Sequence, residues 1–244
     1  MTPHLGPRTS PSAGLRGAVA ILPCGACEAH GPHLPLDTDV RIAVAMAERA
    51  ADRLAARGVR AVVLPPVAYG VTRYARNFEG TLGLSAETTT AVVAELLEAA
   101  IGAGAVGVGV ANAHLEPANL DALFAACARV NARTGVTVAL PNPGSRRGSA
   151  RLAARAAAVD GHAGEYETSL MLAIAPTLVV GHATLPDNGA DLGEGMLGGA
   201  TCFEEAGGPD AYFGRPAAAR AEVGAALLDE LAAMLDEAVV RTIP

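Results

Sequence analysis

Four short apolar runs, each separated from the next by a stretch with helical spacing, predict an α/β protein with a mainly parallel sheet covered on both faces. The length of 244 residues, 51% hydrophobic and 18% charged, suits one core of the larger kind. No internal repeat or composition break divides the chain. A single domain is therefore expected over 17–244, after a loose Pro-, Ser- and Gly-rich tail at 1–16.

The elements follow in order. GAVAILP at 17–23 is short, partly β-branched and closed by proline, as a buried strand requires. Residues 41–57 place Ile42, Ala45, Met46, Ala50 and Leu54 on one helical stripe, with Gly58 as the stop. RAVVLPP at 60–66 is a second strand. Residues 86–103 form a helix with Ser85 as its N-cap. VGVGVA at 106–111 is the third strand, 118–133 a helix, and GVTVAL at 135–140 the fourth strand. Helices are expected at 146–159, 168–175 and 216–240. The segment 183–214 is long, Gly-rich and aperiodic, the mark of a functional lid or of disorder.

Composition excludes several chemistries. All 18 basic residues are arginine, so a Schiff-base lysine and a P-loop lysine are ruled out. A net charge of −7 argues against nucleic acid as the main partner. No apolar run reaches the ~18 residues of a membrane span, and the first residues lack the apolar core of a secretory signal. Four cysteines are too few for a disulfide scaffold, and a cytoplasmic protein is expected.

Chemistry concentrates after two of the strands, where open α/β sheets place ligands. The first cluster, at 22–39, holds Glu28, His30, His33, Asp37 and Asp39; the second, directly after the third strand, holds His114 and Glu116. Glu28/His30 and His114/Glu116 are each two residues apart, so in extended chain each pair projects from one side. Carboxylate plus imidazole suits Zn²⁺, Mn²⁺ or Fe²⁺. If the strand ends are neighbours the pairs face one another, and Asp39 is placed to bridge two ions.

The segment from Pro23 to Asp39, P-x-G-x-x-E-x-H-G-P-H-L-P-L-x-T-D, closely resembles the signature of the creatininase family of metal-dependent amidohydrolases. Further elements agree in order: Tyr69-Gly70-x-Thr72, Phe78-x-Gly80-Thr81, Asn112-x-His114-x-Glu116, His162-Ala163-Gly164, Glu167-Thr168-Ser169 and Gly214-Arg215-Pro216. The resemblance implies a three-layer α/β/α sandwich, a hexameric homo-oligomer and two divalent cations per chain. One cation would be held by Glu28, Asp39 and His114, the other by His30, Asp39 and Glu116. Departures bear on the substrate. Creatinine hydrolysis in the family uses tryptophans around the cyclic substrate, and this chain has none. Ala75 and Glu79 replace a family histidine and proline. Deformylases and the mycofactocin peptide-processing enzymes carry glycine where this chain has Glu116.

The implied reaction is hydrolysis of a C–N bond in a small cyclic amide or lactam, by a hydroxide bridging the two metals. Glu167 or His162 would protonate the leaving nitrogen. Thr72, Tyr69 and Tyr166 are expected to contact substrate, with Glu165 beside them. The alternatives are a peptide-processing hydrolase of the mycofactocin type, a formamide hydrolase, and a non-catalytic relative. Cys24 and Cys27 form C-x-x-C without the βαβ context of a redox motif. His33, between proline and leucine neighbours, is expected to support a ligand rather than to be one. His4 and His182 read as surface residues, and Arg146, Arg147, Arg151 and Arg155 as a solvated helix face.

Overall fold

The computed structural model describes residues 3–154 and 161–243. Four parallel strands, β1 (Val19–Cys24), β2 (Ala61–Val63), β3 (Gly107–Asn112) and β4 (Val138–Ala139), lie in the order β2-β1-β3-β4. The order places β1 and β3 side by side, paired from Val19↔Gly107 to Cys24↔Asn112, so their C-terminal ends are immediate neighbours. Two short edge strands flank this pair. β2 ends before Pro65 and Pro66, and β4 before Pro141; proline has no N–H to continue a ladder.

Alternate residues of β1 enter different cores, as the two-residue period of a strand dictates. Ala20 and Leu22 pack with Val93, Leu97, Leu123 and Val130, from α2 (Ala86–Gly102) and α3 (Pro117–Thr134). Val19 and Ile21 pack on the other face with Ile42, Met46 and Leu54 of α1 (Thr38–Ala56) and Leu227, Leu231 and Leu235 of α7 (Ala221–Thr242). The result is three layers, helices on both sides of the sheet. Ser85 caps α2 as expected, its hydroxyl accepting from the Thr88 N–H at 3.0 Å. No helix among the described residues is long and apolar enough to cross a membrane.

Several boundaries differ from the sequence expectation, and three of them shape the site. Helix α1 begins at Thr38, placing Asp39 in its first turn rather than in the preceding loop. Between them α4 (Arg146–Ala153) and α5 (Glu165–Ile174) follow β4, and α5 starts three residues early, with Glu165 and Glu167 in its first turn. The expected helix at 216–240 is broken: a 3-10 turn at Pro216–Ala218 precedes α7, because Arg220 is extended and donates its N–H to Ser169 Oγ. The expected continuation of α4 to 159, and Arg155 with it, falls outside the described residues. Residues 3–5 lie along the sheet edge, with the Leu5 N–H donating to Val63 O at 2.8 Å.

The aperiodic stretch is built around the short helix α6 (Leu192–Leu197) and an aromatic cluster. Phe203 and Phe213 pack with Tyr74, Phe78 and the buried Ala75. Phe203 also donates its backbone N–H to Tyr74 O at 2.9 Å, tying this covering segment to the loop after β2.

Candidate metal centre

The site lies beyond the adjoining ends of β1 and β3. Gly25 opens the loop there because the N-terminus of α1 presses on it: a β-carbon at this position would sit 2.5 Å from Val40 N and 2.8 Å from Asp39 C. That close approach brings Asp39 under the loop carrying Glu28 and His30. Glu28, His30, Asp39, His114 and Glu167 are all buried.

Three imidazoles are oriented alike. Each has one nitrogen on a backbone carbonyl: His30 Nδ1 on Glu28 O (3.1 Å), His114 Nε2 on Val71 O (2.7 Å) and His162 Nε2 on Ala29 O (2.7 Å). A carbonyl only accepts, so those nitrogens carry the proton and the opposite nitrogens present lone pairs. The lone pairs face carboxylates. His114 Nδ1 is 3.1 Å from Glu28 Oε1 and 3.2 Å from Asp39 Oδ2. His30 Nε2 is 3.3 Å from Asp39 Oδ1 and 3.7 Å from Glu167 Oε2. His162 Nδ1 is 3.8 Å from Glu28 Oε1.

Lone pairs directed at carboxylates repel unless a positive charge lies between them, either protons or a metal ion. Protons on the imidazoles can fill that role. Burial opposes charging His30, yet Asp39 foremost, then Glu167 and Glu28, raise its pKa to about 10. His114 is raised as well against burial, chiefly by Glu28. Glu28 would be raised by burial, but His114 holds it down at about 2, and His30 holds Asp39 well below the carboxylate range against the same penalty. Burial pushes Glu167 up to about 7 and, with the charge on His30, holds His162 at about 4. His30 Nε2 and Asp39 Oδ2 are buried without a hydrogen-bond partner among the described residues. Divalent cations fit this donor set. Ligand atoms of Glu28, Asp39 and His114 lie within 4.8 Å of one another; so do those of His30, Asp39 and Glu167, and those of Glu28, His30 and His162.

The three groups lack one residue of the ligand set implied by the resemblance. Glu116 belongs to none of the three groups, and Glu167 stands beside His30 and Asp39 where Glu116 was expected. The reason is local. Glu116 Oε2 accepts the N–H groups of Arg73 and Tyr74 at 2.8 and 3.3 Å, which draws the carboxylate aside and leaves Oε1 buried without a partner among the described residues. Burial raises its pKa, partly offset by the Arg73 N–H. Glu167 is aimed by the Ala163 N–H, which donates to its Oε2 at 2.6 Å from a left-handed backbone (φ 53°), a costly conformation for alanine.

The expected substrate contacts divide. Tyr166 lines the cavity over the acids; Tyr69 is 46% exposed and does not. Thr72 also lies off the cavity and donates its hydroxyl to Glu28 Oε2, so it steadies a carboxylate instead. Glu165 is buried and paired with Arg215 at 2.8 Å. His33 is in no ligand group; its Nε2 meets Thr168 Oγ1 at 2.9 Å, one residue from Glu167, which fits a supporting place. Arg151 pairs with Glu230 and Glu237 of α7. Cys24 and Cys27 are free thiols, and burial pushes the Cys24 thiol far up.

Sequence reasoning missed Asn119 and Phe203. Asn119 accepts the Val71 N–H and donates to His114 O at 3.0 Å, holding together the two backbone segments that orient His114. Its signal was its place in the first turn of the helix after H-x-E. An Asn119→Ala variant is expected to bind Zn²⁺ about 10–100-fold more weakly while remaining folded, as competition with a chromogenic chelator would measure. Phe203 stacks on His162 with centroids 4.4 Å apart, and only the tertiary fold brings it there.

Fold and site together define an α/β protein with an acid–imidazole centre at its strand ends. The chain belongs to the creatininase family, whose creatinine amidohydrolase profile matches residues 10–239. It is 33% identical over 234 residues to a mycofactocin precursor peptide peptidase of Mycolicibacterium smegmatis, covering 93% of this chain and 86% of that one. A protein of the same description from Mycobacterium ulcerans is 31% identical over 98% of this chain and 90% of its own. A creatinine amidohydrolase of Pseudomonas putida is 31% identical, but over only 40% of this chain and 38% of its own. Among solved structures, a creatininase superposes with a TM-score of 0.78 at 23% identity, over 100% of this chain and 98% of that one. A manganese form of creatininase gives 0.75 at 24%, over the whole of both chains.

Proposed function

We propose that the chain is a metal-dependent amidohydrolase that cuts an amide C–N bond in a small substrate. Glu28, Asp39 and His114 would hold one divalent cation; His30, Asp39 and Glu167 would hold a second, with Asp39 shared. The observation that carries this is the common orientation of the imidazoles, each tied to a carbonyl on one side and directed at buried carboxylates on the other. When bound, such cations polarise a carbonyl oxygen and make water a nucleophile near neutral pH.

The remaining chemistry falls to side chains outside the two groups. Glu116 is the proton carrier in this reading: backbone N–H groups fix one oxygen, and burial raises the carboxyl's pKa, which favours its holding a proton. His162, neutral and with Nδ1 open to the cavity, is placed to hydrogen-bond the departing nitrogen. Glu116→Gln should therefore keep its metal, by elemental analysis, while kcat falls by about 10²–10⁴. Loss of metal along with activity would return Glu116 to the ligand set.

A second reading, peptide processing, is favoured by the relatives matched over nearly the whole chain, which are described as mycofactocin precursor peptide peptidases. A hydrolysis screen of protein loaded with Zn²⁺ or Mn²⁺, against lactams, formamides and short peptides, separates the two. Turnover of lactams or formamides supports the first, and release of a chain end supports the second. A protein that binds no metal and cuts none of them overturns both.

A further inference from the structure

The chamber over the acids holds about 220 Å³, below the ~300–1,000 Å³ of most small-molecule pockets. A substrate of ordinary size must therefore extend beyond it. A second cavity, of about 400 Å³, shares Tyr74 and Glu116 with the first. Arg73, Arg76, Asp121 and Thr201 are among the residues that line it. The two spaces adjoin at Glu116, and the second is a vestibule to the first. Backbone contacts hold that boundary in place. Glu116 Oε2 accepts the Arg73 and Tyr74 N–H groups at 2.8 and 3.3 Å, and Tyr74 O accepts the Phe203 N–H at 2.9 Å.

The two arginines of the vestibule differ. Arg76 is engaged: its guanidinium donates to Arg73 O at 3.1 Å, to Thr201 O and, at 2.9 Å, to Thr201 Oγ1. Arg73 is exposed, and its guanidinium makes no hydrogen bond or ion pair among the described residues. Asp121 pairs with neither arginine. A guanidinium is a planar fork of donors that fits a carboxylate through two parallel hydrogen bonds. The Arg73 side chain is thus rooted where a substrate leaves the metal chamber, with its donors free.

We propose that Arg73 is a specificity-determining residue, binding a carboxylate on the part of the substrate that extends past Glu116 into the vestibule. The inference rests on the amidohydrolase reading for its reaction, and on the vestibule alone for its selectivity. A free chain end and an acidic side chain both offer that group.

The test uses the full chain loaded with Zn²⁺ and acylated short peptides differing only in the last residue: alanine with a free carboxylate, alaninamide, aspartic acid amide and lysinamide. The readouts are kcat/KM and calorimetric binding. A carboxylate-bearing peptide should be preferred to alaninamide by about tenfold, as expected of a bidentate charge-assisted pair. The margin should shrink as salt rises, because Arg73 is exposed. Arg73→Ala should remove it with metal content retained, and Arg73→Glu should move the preference to lysinamide. Both variants keep the backbone N–H that Glu116 accepts. Preference for the free carboxylate alone assigns the site to a chain end, and for the aspartic acid amide alone to a side chain. No carboxylate preference in the unaltered protein, or one that survives Arg73→Ala, overturns the proposal and, with turnover intact, leaves the amidohydrolase reading standing. Carboxylate binding that depends on Arg73, without turnover of any amide, does the reverse.

Discussion

Asp39→Asn is expected to empty both proposed cation groups at once and to bring amide hydrolysis below detection. The carboxylate is buried, with Oδ1 3.3 Å from His30 Nε2 and Oδ2 3.2 Å from His114 Nδ1. It is the one carboxylate common to the Glu28–Asp39–His114 and His30–Asp39–Glu167 groups. Asparagine keeps the shape but offers a single neutral oxygen, and its amide N–H₂ would point at an imidazole lone pair or a neighbouring carboxylate. Neighbouring positions should behave differently. Thr72→Val removes only a hydroxyl donated to Glu28 and should weaken metal binding without abolishing it. Elemental analysis after gel filtration, with circular dichroism to verify folding, measures the effect. A folded Asp39→Asn protein retaining two cations per chain would rule out a shared ligand at this position.

The largest effect on stability is expected at Gly224, far from any metal ligand in sequence. A β-carbon there would overlap the carbonyl of Ser169 and lie 2.8 Å from the Leu170 amide nitrogen. Both partners are backbone of α5, so no side chain can rotate away. Alanine gains about 1 kcal/mol over glycine in a helix, whereas forced separation of two packed helices costs about 3 kcal/mol or more. The clash wins, and Gly224→Ala should lower Tm by about 4–8 °C, given ~2–4 °C per kcal/mol at this chain length. Because α5 also carries Glu167, the variant should bind Zn²⁺ more weakly even below its melting transition. Unchanged stability would mean that α5 and α7 do not meet as closely as Gly224 permits.

Most of the centre was legible in the residues themselves. The stretch from Pro23 to Asp39 contains three of the grouped ligands, and the pairs Glu28/His30 and His114/Glu116 mark the strand ends as chemical. Hydrophobic runs located the strands that carry these loops. What spacing did not reveal was which carboxylate completes the His30–Asp39 group. Glu116 is two residues from His114 and looks its natural partner, but the Arg73 and Tyr74 amides draw it aside. Glu167 is 137 positions from His30 and becomes its neighbour through the docking of α5.

Local pattern determined the α/β class, the strand positions, the acid–imidazole chemistry and the absence of any lysine mechanism, because these depend on residue type and on periods of two to four residues. Tertiary structure alone decided the pairing of Glu167 with His30, the anchoring of Glu116 on the Arg73 and Tyr74 amides and the seating of Phe203 on His162. Those distances are fixed by how closely helices pack, through contacts such as Gly224 against Ser169, and a linear chain carries no ruler for segments a hundred residues apart.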